Sequence, residues 1–252
     1  DGCPVAIEVF PGNTADPTTF TAQVNRVRRR FGIRRVVLVG DRGMITSKRI
    51  EEDLREAEGL DWITALRSNG IKKLVEQQAI QLGLFDQRDL AEVASADYPG
   101  ERLIVCRNPL LAAERARKRN ELLAVAEKKL DAVVAAVARK KNPLRGKEKI
   151  GLRVGRELKS TKMQKHFELN IEDDAFSYRR RHEAIATEAA IDGLYVVRTS
   201  VPSEALSAEQ AVSAYKDLSQ VERAFRSLKT VDLHVRPIYH WKDDRIRAHV
   251  FL

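Results

Sequence analysis

The 252 residues carry 45 Lys and Arg against 36 Asp and Glu, a net charge of +9, with 43% hydrophobic and 32% charged residues. This is a globular composition with a heavily charged surface, and its sequence pI of about 9.6 favours polyanionic partners, of which nucleic acid is the usual one. No apolar run approaches the roughly 20 residues that a bilayer-spanning helix needs. Cys3 and Cys106 lack metal-ligand spacing and read as buried, inert thiols of a reducing compartment.

In chain order, Cys3 to Phe10 has the β-branched and aromatic content of a strand, ended by Pro11-Gly12-Asn13. Asp16-Pro17 then starts a helix, Asp16 as its cap, that runs to Phe31 and stops at Gly32. Arg26, Arg28, Arg29 and Arg30 suit the dipole of its last turns, while Arg34 and Arg35 extend them into an equally plausible phosphate-facing patch. Val36 to Gly40 is a short apolar run typical of a strand buried on both faces, and Asp41 follows it directly, ahead of Arg42-Gly43. In open α/β sheets ligands bind beyond the carboxyl ends of the parallel strands, where a catalytic acid belongs. The alternative for Asp41 is a loop residue capping the next helix, Ser47 to Ala57, for which Thr46 and Ser47 already offer caps. A strand from Leu60 to Leu66 completes a βαβ unit, the alternation of a parallel or mixed sheet.

From Ser68 the pattern changes, and residues 71–200 read as a separate α+β segment. It holds a strand at Arg102 to Cys106 and a long helix from about Leu110 to Lys141, with a seam of Leu123, Ala126, Leu130, Val133 and Val137. Antiparallel strands are expected after it, including His166 to Ile171 before a turn at Asp173-Asp174, and then Leu194 to Thr199. Cations cluster at Arg115 to Arg119, Arg139 to Lys141, Lys147 to Arg156 and Arg179 to Arg181. Each cluster alone is a solvated face by default; together they suggest a surface that tracks a phosphate backbone.

Ser207 to Lys229 is the most organised stretch. Ser207 and Gln210 form a capping box, and no Gly or Pro interrupts a single helix of about six turns. Leu218, Val221, Phe225 and Leu228 form its core-facing stripe. Tyr215 and Lys229 stand seven residues either side of Glu222, which places the three within about 20° around the axis, bordered by Arg226. An ordinary Glu222–Arg226 surface pair is the plain alternative. Beyond it, Trp241, like Trp62 earlier, reads as a packing residue, and RIRAHVFL forms an apolar helix at the end of the chain.

Tyr215, Leu218, Glu222 and Lys229, in that spacing, resemble the Tyr–Arg–Glu–Lys signature of DDE transposases of the insertion-sequence-four group, with Leu218 where the signature has Arg. The surrounding LSQVERAFRSLKT and VRPIYHWKDDRIRAHVFL are similar to the branch with a long inserted domain, and Asp41-Arg42-Gly43-Met44 resembles that family's second acid with its following Arg-Gly-Met. The resemblance extends over essentially the whole chain.

It implies an RNase-H-like α/β core in two parts, 1–70 and 201–252, around an inserted domain at 71–200. Asp41 and Glu222 become catalytic acids that ligate Mg²⁺ or Mn²⁺, two ions in all, and Tyr215, Lys229 and more weakly Arg226 and Arg42 become contacts to DNA. The implied reaction is hydrolysis at the ends of a mobile element, then attack of the freed 3′-hydroxyl on target DNA, by a homodimer on double-stranded DNA in a bacterial cytoplasm, at the nucleoid. The family's first acid has no counterpart, because Asp1-Gly2 precedes what reads as the third strand of the sheet. The first two strands are therefore expected upstream, and the chain is expected to be a piece truncated at both ends and inactive alone. Two other readings remain: a non-catalytic DNA-binding remnant that keeps the basic surfaces, and a metal-dependent nuclease of the same fold that cuts without joining.

Overall fold

A computed structural model describes residues 8–11, 13–14, 16–81, 85 and 89–251. The strand expected over Cys3 to Phe10 falls largely outside these residues; 8–10 have no regular structure. The chain forms two compact units, one of Asp1–Arg67, Leu90–Val105 and Val196–Leu252, the other of Ser68–Asp89 and Cys106–Tyr195.

In the first unit, helix α1 (Asp16–Phe31) ends where Gly32 turns left-handed at φ 62°, and the Ile33 amide returns to the Arg28 carbonyl at 3.0 Å. Glycine suits that position because it carries no Cβ to clash there. Strand β1 (Val36–Val39) runs parallel to β2 (Leu60–Ala65), Val36 opposite Leu60 and Val39 opposite Ile63. With β3 (Leu90–Val93), β4 (Arg102–Arg107) and β7 (Leu194–Thr199) they make a mixed five-stranded sheet of order β1-β2-β7-β4-β3, in which β7 is antiparallel to β2. Among the described residues β1 stands at the edge of this sheet, and Val37 is 39% exposed, so the expectation of a strand buried on both faces does not hold. A four-residue apolar run matches an edge strand as well as a central one; its neighbours decide.

Between β1 and β2 the expected helix is present in two windings. Thr46 caps α2 (Ser47–Arg49) by accepting from the Arg49 amide, and the chain then widens into a π-turn over Ile50–Leu54. Ile45, Ile50, Leu54 and Trp62 close a small core beneath it, Trp62 packing as expected. On the sheet, Arg198 is 4% exposed, and its guanidinium meets the Glu101 carboxylate through Nε and Nη2, both at 2.5 Å, and Ser47 Oγ at 2.8 Å. Both charges lose their hydration there, and their mutual attraction with this two-point geometry offsets that cost, whereas either alone would be left buried and uncompensated.

The second unit is built on α4 (Pro109–Ala138). Asn108 caps it, accepting from the Leu111 amide at 3.0 Å, and Pro109 occupies the first turn, where its missing N–H costs nothing. Leu123, Ala126, Leu130, Val133 and Val137 are 0–4% exposed, so the expected seam is the core of this unit. The helix ends at Ala138 rather than Lys141, where Arg139 is already extended and Arg145 Nη1 donates to the Val137 carbonyl at 2.7 Å. The seam is covered by α5 (Lys147–Lys159), through Ile150, Val154 and Leu158, and by the antiparallel hairpin β5 (Phe167–Ile171) and β6 (Phe176–Arg180). The turn falls at Asp173-Asp174 as expected, whereas α3 (Ser68–Glu76), α5 and α6 (His182–Ala189) are helices that the residue pattern did not announce. In α5 two glycines and five cations obscure the buried three-residue stripe.

Candidate active site

Asp41 sits on the loop that leaves β1. The Gly40 amide bonds back to the Ile63 carbonyl at 3.1 Å, so the loop departs from the sheet at a fixed point. Ile45, 2% exposed, pins its far end in the core, and a Cβ on Gly40 would stand 2.9 Å from that side chain, so a larger residue there would have to displace it. Within the loop, Asp41 Oδ1 accepts from the Gly43 amide at 2.8 Å and the Met44 amide at 2.7 Å. The cap role weighed for Asp41 is thus real for its own turn, while Thr46 serves the helix. Oδ2 has no hydrogen bond among the described residues, and the side chain is exposed. Arg67 donates to the Arg42 carbonyl at 3.4 Å, a tie that neighbouring sequence does not signal.

The stretch expected as one helix is segmented. The capping box forms, with Ser207 Oγ accepting from the Gln210 amide and Gln210 Oε1 from the Ser207 amide. α7 (Ala208–Lys216) then packs Ala211 and Val212 inward and lies against β2 and β3. Arg102 fixes the approach to it by donating to the carbonyls of Val201 and Leu206 at 3.0 and 2.8 Å, a second contact without a sequence signal. Asp217 closes α7 with ψ −13°, its carboxylate engaged by the Gln220 side chain, and α8 (Leu218–Arg226) begins after it. A π-turn over Ser227–Val231 follows, and later α9 (Asp243–Phe251). A π-turn has more residues per turn, so Lys229 no longer continues the Tyr215–Glu222 row in simple helical phase. The stripe expected to face the core does not: Val221 is 45% and Phe225 53% exposed, and α8 buries no residue. Trp241, expected to pack, is 96% exposed.

Tyr215 is where the distant pieces converge. Burial is the main cause that raises its phenol pKa; the Arg42 guanidinium lowers it, and the carboxylates of Asp41 and Glu222 raise it further. One hydroxyl thus feels the acid at the end of β1, the cation beside that acid and the acid on α8. The plain alternative, a Glu222–Arg226 pair, is not formed among the described residues. Lys229 lies with its ammonium 5.3 Å from the centre of the Phe225 ring, and Arg226 is exposed.

Among the described residues no group of three or more His, Cys, Asp and Glu is arranged to hold a metal. Two carboxylates are hard oxygen donors, and their chemistry fits an ion such as Mg²⁺, which keeps several waters and completes its shell from phosphate oxygens.

In open α/β sheets ligands bind beyond the carboxyl ends of the strands, and Asp41 stands at that end of β1. The family model for the transposase DDE domain matches residues 1–252, so the chain belongs to the DDE transposase family and its α/β core is RNase-H-like. Members of this family are DNA-acting enzymes that generally use divalent metal ions. No curated protein and no solved structure matches the chain. No described helix is long and apolar enough to cross a membrane.

Proposed function

We propose that this chain supplies two acids of the catalytic site of a transposase that cleaves at the ends of a mobile element and joins them to target DNA. The observation that carries the reading is the joint action of Asp41 and Glu222 on the Tyr215 hydroxyl, two acids far apart in the sequence that share one neighbourhood. Asp41 Oδ2 and the Glu222 carboxylate are the metal donors, for Mg²⁺ or Mn²⁺. A pair of such ions, when bound, activates the attacking oxygen and stabilises the leaving one. The turn amides of Gly43 and Met44 orient the Asp41 carboxylate toward that task. Tyr215 offers its hydroxyl, held protonated by burial, as a donor to a phosphate oxygen, and Arg42 offers charge beside it. Lys229 and Arg226, on the same helical arm, contact the DNA backbone.

On this reading the unit containing α4 fills the place of the inserted domain expected over 71–200, the family branch is the insertion-sequence-four group, and the working form is a dimer on paired DNA ends. Mn²⁺ binding, followed by electron paramagnetic resonance on the 252-residue chain, tests the assignment. Binding that is lost in both Asp41→Asn and Glu222→Gln, with the thermal melt unchanged, is the expected result. Mn²⁺ affinity that survives either substitution sinks it.

A further inference from the structure

In the unit built on α4, an open groove of about 940 Å³ runs between the end of α5, the start of β5 and Arg181. Four cations line it: Lys159, Lys162, Lys165 and Arg181. Lys165 is paired with Glu188, and the groove's acid, Glu168, is paired with Arg179 at 2.8 Å. Lys159, Lys162 and Arg181 are exposed and form no ion pair among the described residues. Lys162 also holds a left-handed backbone, φ 57°, which costs a non-glycine residue about 1 kcal/mol or more and is often kept where function requires it. The positive charge continues on the outer face of α5 through Arg156, next to Gly155, where an added Cβ would meet nothing within 4 Å. No packing inside the unit calls for glycine at that place.

We propose that this groove is a second DNA-contact surface, one that grips the phosphodiester backbone of a duplex away from the residues around Tyr215. Three unpaired cations in a concave lining, with the acids already neutralised, present excess positive charge to a linear polyanion. Another copy of this chain is the poorer occupant, since its matching face would bring like charges together. The inference rests on DNA being the substrate, as proposed above.

The test is fluorescence anisotropy of a labelled 30-base-pair duplex of arbitrary sequence with the 252-residue chain, in EDTA, across a KCl series. The triple variant Lys159→Glu, Lys162→Glu, Arg181→Glu is compared with the triple Arg139→Glu, Lys140→Glu, Lys141→Glu, which changes net charge equally just past the end of α4. The groove variant should lose about 10- to 100-fold in affinity and flatten the slope of log affinity against log salt by about two to three, the control less than about threefold. Equal losses in the two triples, an unchanged slope in the groove variant, or displacement of the duplex by polyglutamate as readily as by unlabelled DNA overturns the proposal. Should the glutamate variant fail to fold, the Gln triple at the same positions is held to the same slope criterion. Because EDTA removes divalent ions, failure of the two-acid reading leaves the binding result intact.

Discussion

Helices α4 and α8 carry equally regular apolar stripes and meet opposite fates. In α4 the seam from Leu123 to Val137 is 0–4% exposed; in α8 Val221 and Phe225 remain 45% and 53% exposed. The α4 seam has α5 and the β5–β6 hairpin over it, whereas α8 packs chiefly on its own neighbours, α7 and the π-turn that follows. The period of a stripe says which face is apolar. It does not say whether anything covers that face, and stabilisation comes only with the cover.

The sharpest way to break the comparison is at Leu130, 0% exposed in the seam. Leu130→Ala should cost about 3–5 kcal/mol in urea unfolding, through lost transfer energy and the cavity left behind. In the first unit, charge does part of the work that the seam does in the second. Glu101→Gln weakens the bonds to a buried Arg198 guanidinium and should cost about 2–3 kcal/mol in the same measurement.

A smaller effect separates the two units by pH. Burial holds the His166 imidazole below its ordinary pKa, although the Glu188 carboxylate, 3.1 Å from Nε2, works the other way. The unfolded chain then binds that proton more readily, so this contribution is present at neutral pH and is lost as pH falls through the histidine range toward the folded value. For Glu188, burial acts upward, but Lys165, His166 and Arg119 together bring its pKa below the ordinary value, so its contribution is lost only at still lower pH. Stability should therefore decline between about pH 7 and pH 5, and His166→Gln should flatten that decline. A pH-independent denaturation midpoint in the parent chain contradicts this. The smallest effect is expected at Phe225→Ala, within about 0.5 kcal/mol; a loss near that of Leu130→Ala would show that α8 is covered after all.

Much of the α4 unit was legible because its signals are local: the seam from Leu123 to Val137 that faces the helix inward, and Asp173-Asp174 that turns the hairpin. α5 was not, since Gly151, Gly155 and its cations mask Ile150, Val154 and Leu158. In the site, Asp41 at a strand end and the Ser207–Gln210 box stood out as written. The division at Asp217 did not, because ordinary helix formers flank it and the break lies in one ψ angle and one side-chain bond to Gln220. Nor could sequence reveal that Arg67 holds the loop that carries Asp41 and Arg102 the approach to α7, as each contact joins elements that meet only after folding.

The two short bonds from Asp41 Oδ1 to its own turn have a bearing on what can replace it. A glutamate would carry its carboxylate one methylene too far to reach the Gly43 and Met44 amides, so charge would be kept while the loop lost its brace. An asparagine keeps an oxygen for those amides and loses the charge. Shape and charge at this position are thus separable by two single-residue exchanges, asparagine keeping the shape and glutamate the charge.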